Sequence, residues 1–98
     1  MSEKLDISKL NPKVQKLIAE TGTTITDPKD LEALAMVSVK DLARLFDELA
    51  AGVTKAQALR NMTQKLRRRM MEKEVEEEAR KLGKTPAEYL EEKLRKET

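Results

Sequence analysis

Apolar residues recur along this chain in short stripes at helical spacing, and the residues between them have the chemistry of helix ends. Val14, Leu17 and Ile18 form one stripe, Leu31, Leu34 and Ala35 a second, and Leu42, Leu45, Phe46 and Leu49 a third. Leu59, Met62, Leu66 and Met70 continue at steps of three and four. The pattern then jumps five residues to Val75, followed by Ala79 and Leu82. Either the buried face of that helix rotates there, or its far half projects. Tyr89, Leu90 and Leu94 make the last stripe.

The polar residues between stripes predict where helices begin and end. Asn11-Pro12 and Asp27-Pro28 each set an N-cap side chain before a proline at the first helical position. Asp30 falls in a first turn, where the helix dipole favours a carboxylate. Ser38-Val39-Lys40-Asp41 and Thr54-Lys55-Ala56-Gln57 have capping-box spacing, with Val37 placed to staple onto Leu42. Thr85-Pro86-Ala87-Glu88 combines both signals. Gly22, Gly52 and Gly83 are helix stops. Thr23-Thr24-Ile25-Thr26 is β-branched and reads as a short extended connector. The expectation is all-α: a compact bundle of about five helices in one domain over residues 1–98, the fourth (about 55–82) much the longest.

Composition narrows the chemistry. Apolar and charged residues each make up 39% of the 98 positions, and Phe46 and Tyr89 are the only aromatics, so the core must be aliphatic. With no cysteine and no histidine, the usual thiol and imidazole roles in catalysis or zinc binding are vacant. Glu72, Glu74, Glu76, Glu77 and Glu78 lack the Glu-x-x-His partner of a di-metal carboxylate site. They read as a solvated face supported by Glu76–Arg80 and Glu77–Lys81 pairs. No glycine-rich phosphate loop or calcium loop is present. Enzyme activity is not expected, and no cofactor is implied. No apolar run approaches a membrane span, and the opening residues lack the apolar core of a signal peptide, which reads as cytoplasmic.

Charge is distributed unevenly. Residues 49–71 contain Lys55, Arg60, Lys65, Arg67, Arg68 and Arg69 and no acid, while the flanking parts each carry seven bases against nine acids. The net +2 of the chain is thus a local +6 between two mildly acidic regions. Such a block is the electrostatic footprint of a phosphate-rich partner, or else a solvated face. On a helix, Gln57, Asn61, Gln64 and Arg68 share a side free of carboxylates. Amides and guanidinium groups pair bidentately with base edges in a major groove, and the flanking Lys55, Arg60, Lys65, Arg67 and Arg69 could neutralise phosphates. Arg68 can also pair with Glu72 one turn on.

The predicted helix from Val39, the Gly52-Val53-Thr54 turn and the basic helix follow helix–turn–helix order. They depart from that motif at Glu48, where it wants a small residue, and at Asp47 and Asn61, where it wants apolar ones. The leading expectation is therefore a non-enzymatic nucleic-acid-binding module, DNA more than RNA, using helix 54–71. The alternative is a helical protein-interaction or scaffold protein, with Met71 and Val75 as an exposed stripe for a partner protein. A homodimer is compatible with either, and neither involves a membrane.

Two resemblances touch the C-terminal third. Ala79-Arg80-Lys81-Leu82-Gly83-Lys84-Thr85-Pro86-Ala87-Glu88-Tyr89-Leu90 resembles the helix–turn–helix half of ribbon–helix–helix repressors and antitoxins. Over residues 64–97 that resemblance implies a dimer-forming strand at 64–71, with Lys65, Arg67 and Arg69 reaching a major groove. Arg68 then falls on the strand's core side, and Gln, Lys, Leu, Arg and Met are helix formers. Residues 83–98, with their regular capping, also resemble computationally designed helices, which implies an idealised bundle without a natural function.

Overall fold

A computed structural model of the chain describes residues 4–97. It is all-α. The helices are α1 (Pro12–Thr21), α2 (Pro28–Ala35), α3 (Val39–Ala50), α4 (Lys55–Lys81) and α5 (Pro86–Glu97), with no strand among the described residues. Residues 64–71 lie inside α4, so the strand implied by the ribbon–helix–helix resemblance does not form. No helix is long and apolar enough to cross a membrane.

Each helix start follows from local side-chain chemistry. Asn11 Oδ1 accepts from the Lys13 N–H and Asp27 Oδ1 from the Lys29 N–H, both at 2.9 Å. Asp41 Oδ2 accepts from the Ser38 N–H and from its Oγ, each at 2.9 Å, while Ser38 Oγ accepts from the Asp41 N–H. That capping box stabilises α3 by about 1 kcal/mol or more, because its carboxylate is almost fully buried. Thr54 Oγ1 accepts from the Gln57 N–H at 3.1 Å. The return half expected of Gln57 is diverted, since its side chain bonds Asn61 and Arg60 instead.

Helix ends are equally local. At the α3–α4 turn, Val53 N–H donates to Glu48 O and Gly52 N–H to Leu49 O. This Schellman closure needs a left-handed residue, and Gly52 sits at φ +98°. Gly22 and Gly83 close α1 and α4 with the same bond pattern.

The chain folds as two units, Met1–Arg67 and Arg68–Thr98. The first contains α1, α2, α3 and the N-terminal part of α4. Leu10, Val14, Leu17, Ile18, Ile25, Ala33, Leu34, Leu42, Leu45, Ala58, Leu59, Met62 and Leu66 form its core. Each buried Leu, Val or Ile contributes roughly 1.5–3 kcal/mol relative to exposure. Leu5 N–H donates to Ile25 O at 2.9 Å, which lashes the N-terminal segment to the extended connector. Two inward positions are corrected. Ala33 replaces Ala35 beside Leu34, with Leu31 half-buried, and Phe46 is 45% exposed. Phe46 lies at the edge of the α3 stripe, where Lys13 covers its ring from 5.4 Å.

The second unit pairs the C-terminal part of α4 with α5. Ala79 is its only buried residue among those described, Val75 and Tyr89 are half-buried, and Leu82, Leu90 and Leu94 are exposed rather than inward. The ion pairs of its acidic block form one residue out of the expected register, Arg80–Glu77 at 3.9 Å and Lys81–Glu78 at 4.0 Å. On an exposed helix face the i+3 and i+4 partners are nearly equivalent, so little energy separates the two registers.

Candidate nucleic-acid interface

The basic stretch is built on α4, and the first unit holds it as far as Arg67. Ala58, Leu59, Met62 and Leu66 turn into the core. The opposite side of the helix therefore carries Gln57, Arg60 and Gln64, all exposed, with exposed Lys65 and half-buried Asn61 on a flank. Helical spacing alone places these residues, and α4 itself contributes no acid to this side in the first unit.

Tertiary folding changes the electrostatics. Lys55 bonds the Glu20 carboxylate of α1, which also lies 3.9 Å from Lys16. The hydrogen bond from Lys55 outweighs an opposing desolvation and, with the Lys55 and Lys16 ammonium charges adding to it, holds the Glu20 carboxyl below its ordinary range. Arg67 Nη1 reaches Asp30 at 3.1 Å and Asp27 at 3.4 Å, both from the start of α2. Two of the expected bare cations thus already have carboxylates folded across from them, a correction to the picture of an unopposed cationic rod. The side chains in these pairs are between 30% and 56% exposed, so water screens each pair and its contribution to stability is small.

A relay of hydrogen bonds organises the amides. Arg60 Nη1 donates to Gln57 Oε1 at 3.3 Å, Gln57 Nε2 to Asn61 Oδ1 at 2.8 Å, and Asn61 Nδ2 to Glu48 Oε1 of α3 at 3.3 Å. Glu48 and Asn61, which break the helix–turn–helix pattern, therefore make a polar strut between α3 and α4. Asn61 is engaged at both ends of its amide and positions Gln57 more than it offers itself outward. Gln64 remains exposed one turn further on.

Arg44 of α3 is a cation that sequence reasoning missed. It lines one cleft with Asn61 and Lys65, and nothing in its local sequence marks it. Glu20, Asp27 and Asp30 were also missed as neighbours of the basic helix. Asp27 and Asp30 read as a cap and a first-turn acid, and those local roles gave no sign of a second, long-range one.

The remaining predicted residues lie in the second unit. Arg68 is exposed and Arg69 half-buried at its start, and the expected Arg68–Glu72 pair does not form among the described residues. Met71 is 62% exposed, and Val75 is half-buried. Among the described residues, no group of three or more acidic side chains is arranged to hold a metal ion. Compared with family models, curated proteins and solved structures, the chain matches none.

Proposed function

We propose that the outward side of α4 in the first unit binds nucleic acid, duplex DNA in preference to RNA. One observation carries the reading: Gln57, Arg60, Gln64 and Lys65 lie exposed on a helix that contributes no acid there, and that helix follows α3 through a tight turn. In this reading Gln57 and Gln64 meet base edges, and Arg44, Arg60 and Lys65 neutralise phosphates. Asn61, anchored on Glu48, holds Gln57 in position. Lys55 and Arg67 must exchange Glu20, Asp27 and Asp30 for phosphates, so they add less.

The test is a fluorescence-anisotropy titration of labelled duplex at about 50 mM and 200 mM salt. Three phosphate contacts predict a log–log slope of about −3. Arg60→Ala and Lys65→Ala should each reduce the slope by about one and weaken binding on every sequence alike. Gln64→Ala should cost about 1–3 kcal/mol at particular base pairs only. No anisotropy change at low salt, with helicity intact, overturns the reading.

A second reading, a protein-interaction module, draws on a separate observation in the second unit, where Met71, Leu82, Leu90 and Leu94 are exposed.

A further inference from the structure

The first unit leaves an apolar groove of about 340 Å³ between α1 and α3. Leu17 of α1 and Leu45 and Leu49 of α3 form its floor, and half-exposed Phe46 forms a wall. Phe46 also belongs to a longer stripe on α3. Val39, Ala43, Phe46 and Ala50 follow at i, i+4, i+7 and i+11, and all four are exposed. The stripe adjoins the side of α3 that buries Leu42 and Leu45. It runs for about 16 Å, or three helical turns. The alanines on either side of Phe46 let another helix approach α3 closely.

Charge decides what fits. Lys13 and Lys16 of α1 and Lys55 at the start of α4 line the groove, and Glu20 is the one acid among its lining residues. Glu20 shows what these ammonium groups accept, since its carboxylate bonds Lys55 and lies 3.9 Å from Lys16. Lys13 has no carboxylate partner among the described residues and lies 5.4 Å over the Phe46 ring. A cation over an exposed ring is held weakly, so an incoming carboxylate draws it away and uncovers the apolar wall. On the far flank of the stripe, Lys40 and Asp47 carry one charge of each sign and select neither. The aliphatic floor argues against nucleic acid here, because it offers no face for base stacking and Phe46 is the groove's one aromatic ring.

We propose that the α1–α3 groove receives an amphipathic helix of a partner protein, with apolar residues against Phe46 and Leu49 and with Glu or Asp along the edge that faces Lys13 and Lys16. The groove shares none of Gln57, Arg60, Gln64 and Lys65 with the nucleic-acid surface, so the two readings stand or fall separately. Lys13 over Phe46 has a simpler explanation, cover for an exposed ring in the free monomer. That explanation gives no preference for acidic partners.

NMR titration of the intact chain, read from its amide signals, separates the two. The probes are two panels of synthetic helical peptides about four turns long, with Leu, Met or Phe at i, i+3, i+4 and i+7. The panels differ only in carrying Glu or Lys beside that apolar face. Acidic peptides should bind about tenfold more tightly than their basic counterparts and should shift Lys13, Phe46 and Leu49 most. Phe46→Ser should weaken binding about tenfold with unchanged helicity by circular dichroism. Lys13→Glu combined with Lys16→Glu should reverse the preference, making the basic panel the tighter one. Arg60→Ala and Lys65→Ala should leave peptide binding unchanged. The proposal is overturned by an acidic panel that fails to bind, by equal binding of the two panels, or by a charge exchange that leaves the preference as it was. It is also overturned by a single-stranded oligonucleotide that shifts the same groove signals as strongly, or by self-association that Phe46→Ser abolishes, which seats a second copy in the groove instead.

Discussion

The two parts of α4 are one helix by backbone and differ in what surrounds them. From Lys55 to Arg67, four side chains are buried, and three helices of the same unit supply neighbours on their side. From Arg68 to Lys81, one side chain is buried, and α5 is the only other helix of its unit. Helix formation needs only the local backbone bonds and propensities that both parts share. Burial needs neighbours, and the two units differ in how many they have. The first unit thus has a core of its own, whereas the second has helices in search of one.

Matched substitutions in the two units test this contrast, from the largest effect to the smallest. Leu34→Ala, at a fully buried site, should cost about 2–5 kcal/mol by urea denaturation. Met71→Ala, at a mostly exposed one, should stay within about 0.5 kcal/mol. Equal costs would erase the distinction between the units.

Helix caps sharpen it further. Asp41→Ala removes the acceptor of two hydrogen bonds from a nearly solvent-free carboxylate, so a loss of about 1–2 kcal/mol is expected in global unfolding. Thr85 Oγ1 accepts from the Glu88 N–H at 3.2 Å at an exposed site. Thr85→Ala should therefore cost about 0.5–1 kcal/mol, seen as faster amide exchange in the first turn of α5 and little change in the urea midpoint. A large global effect of Thr85→Ala would show that the second unit unfolds together with the first.

Gly52→Ala and Gly83→Ala come next. Both glycines have positive φ, +98° and +68°, and open space where a Cβ would sit, so the expected cost is backbone strain alone, about 1 kcal/mol each. Gly52→Ala should lower the global midpoint, and Gly83→Ala should fray the C-terminal end of α4. A cost well above this at Gly52 would mean that crowding, not backbone conformation, limits the turn.

The smallest effect concerns Glu20 and is read from its pH dependence. Its carboxyl is held low in the folded chain by Lys55, so the folded state releases the proton more readily than the unfolded one. The stabilisation is therefore present above the ordinary carboxylate range and is lost as pH falls through it. Glu20→Gln should lower Tm slightly near neutral pH, and the gap should close as pH falls below the ordinary carboxylate range. A gap that persists in acid would show that Glu20 acts through packing.

Much of the fold was legible because helix ends are decided within a few residues. Asn11, Asp27, Ser38, Thr54 and Thr85 each bond an N–H two or three positions ahead, and Gly22, Gly52 and Gly83 close helices with bonds of the same reach. The candidate site was only partly legible. Periodicity located Gln57 and Gln64 on one exposed side, with Arg60 placed on its flank, but Arg67 meets Asp27 and Asp30 across 40 and 37 residues, and Lys55 meets Glu20 across 35. No local pattern encodes such pairs. Asn61 likewise read as a base-reading amide, because its bond to Glu48 depends on how α3 and α4 come together.

The sequence by itself determined the helices, their limits and the side of α4 that carries its amides and cations, since capping, propensity and periodicity act over one or two turns. Tertiary structure decided which cations are already matched, which amide is held in a strut, and which leucines remain exposed. Those outcomes depend on distances between residues far apart in the chain, and only packing sets them.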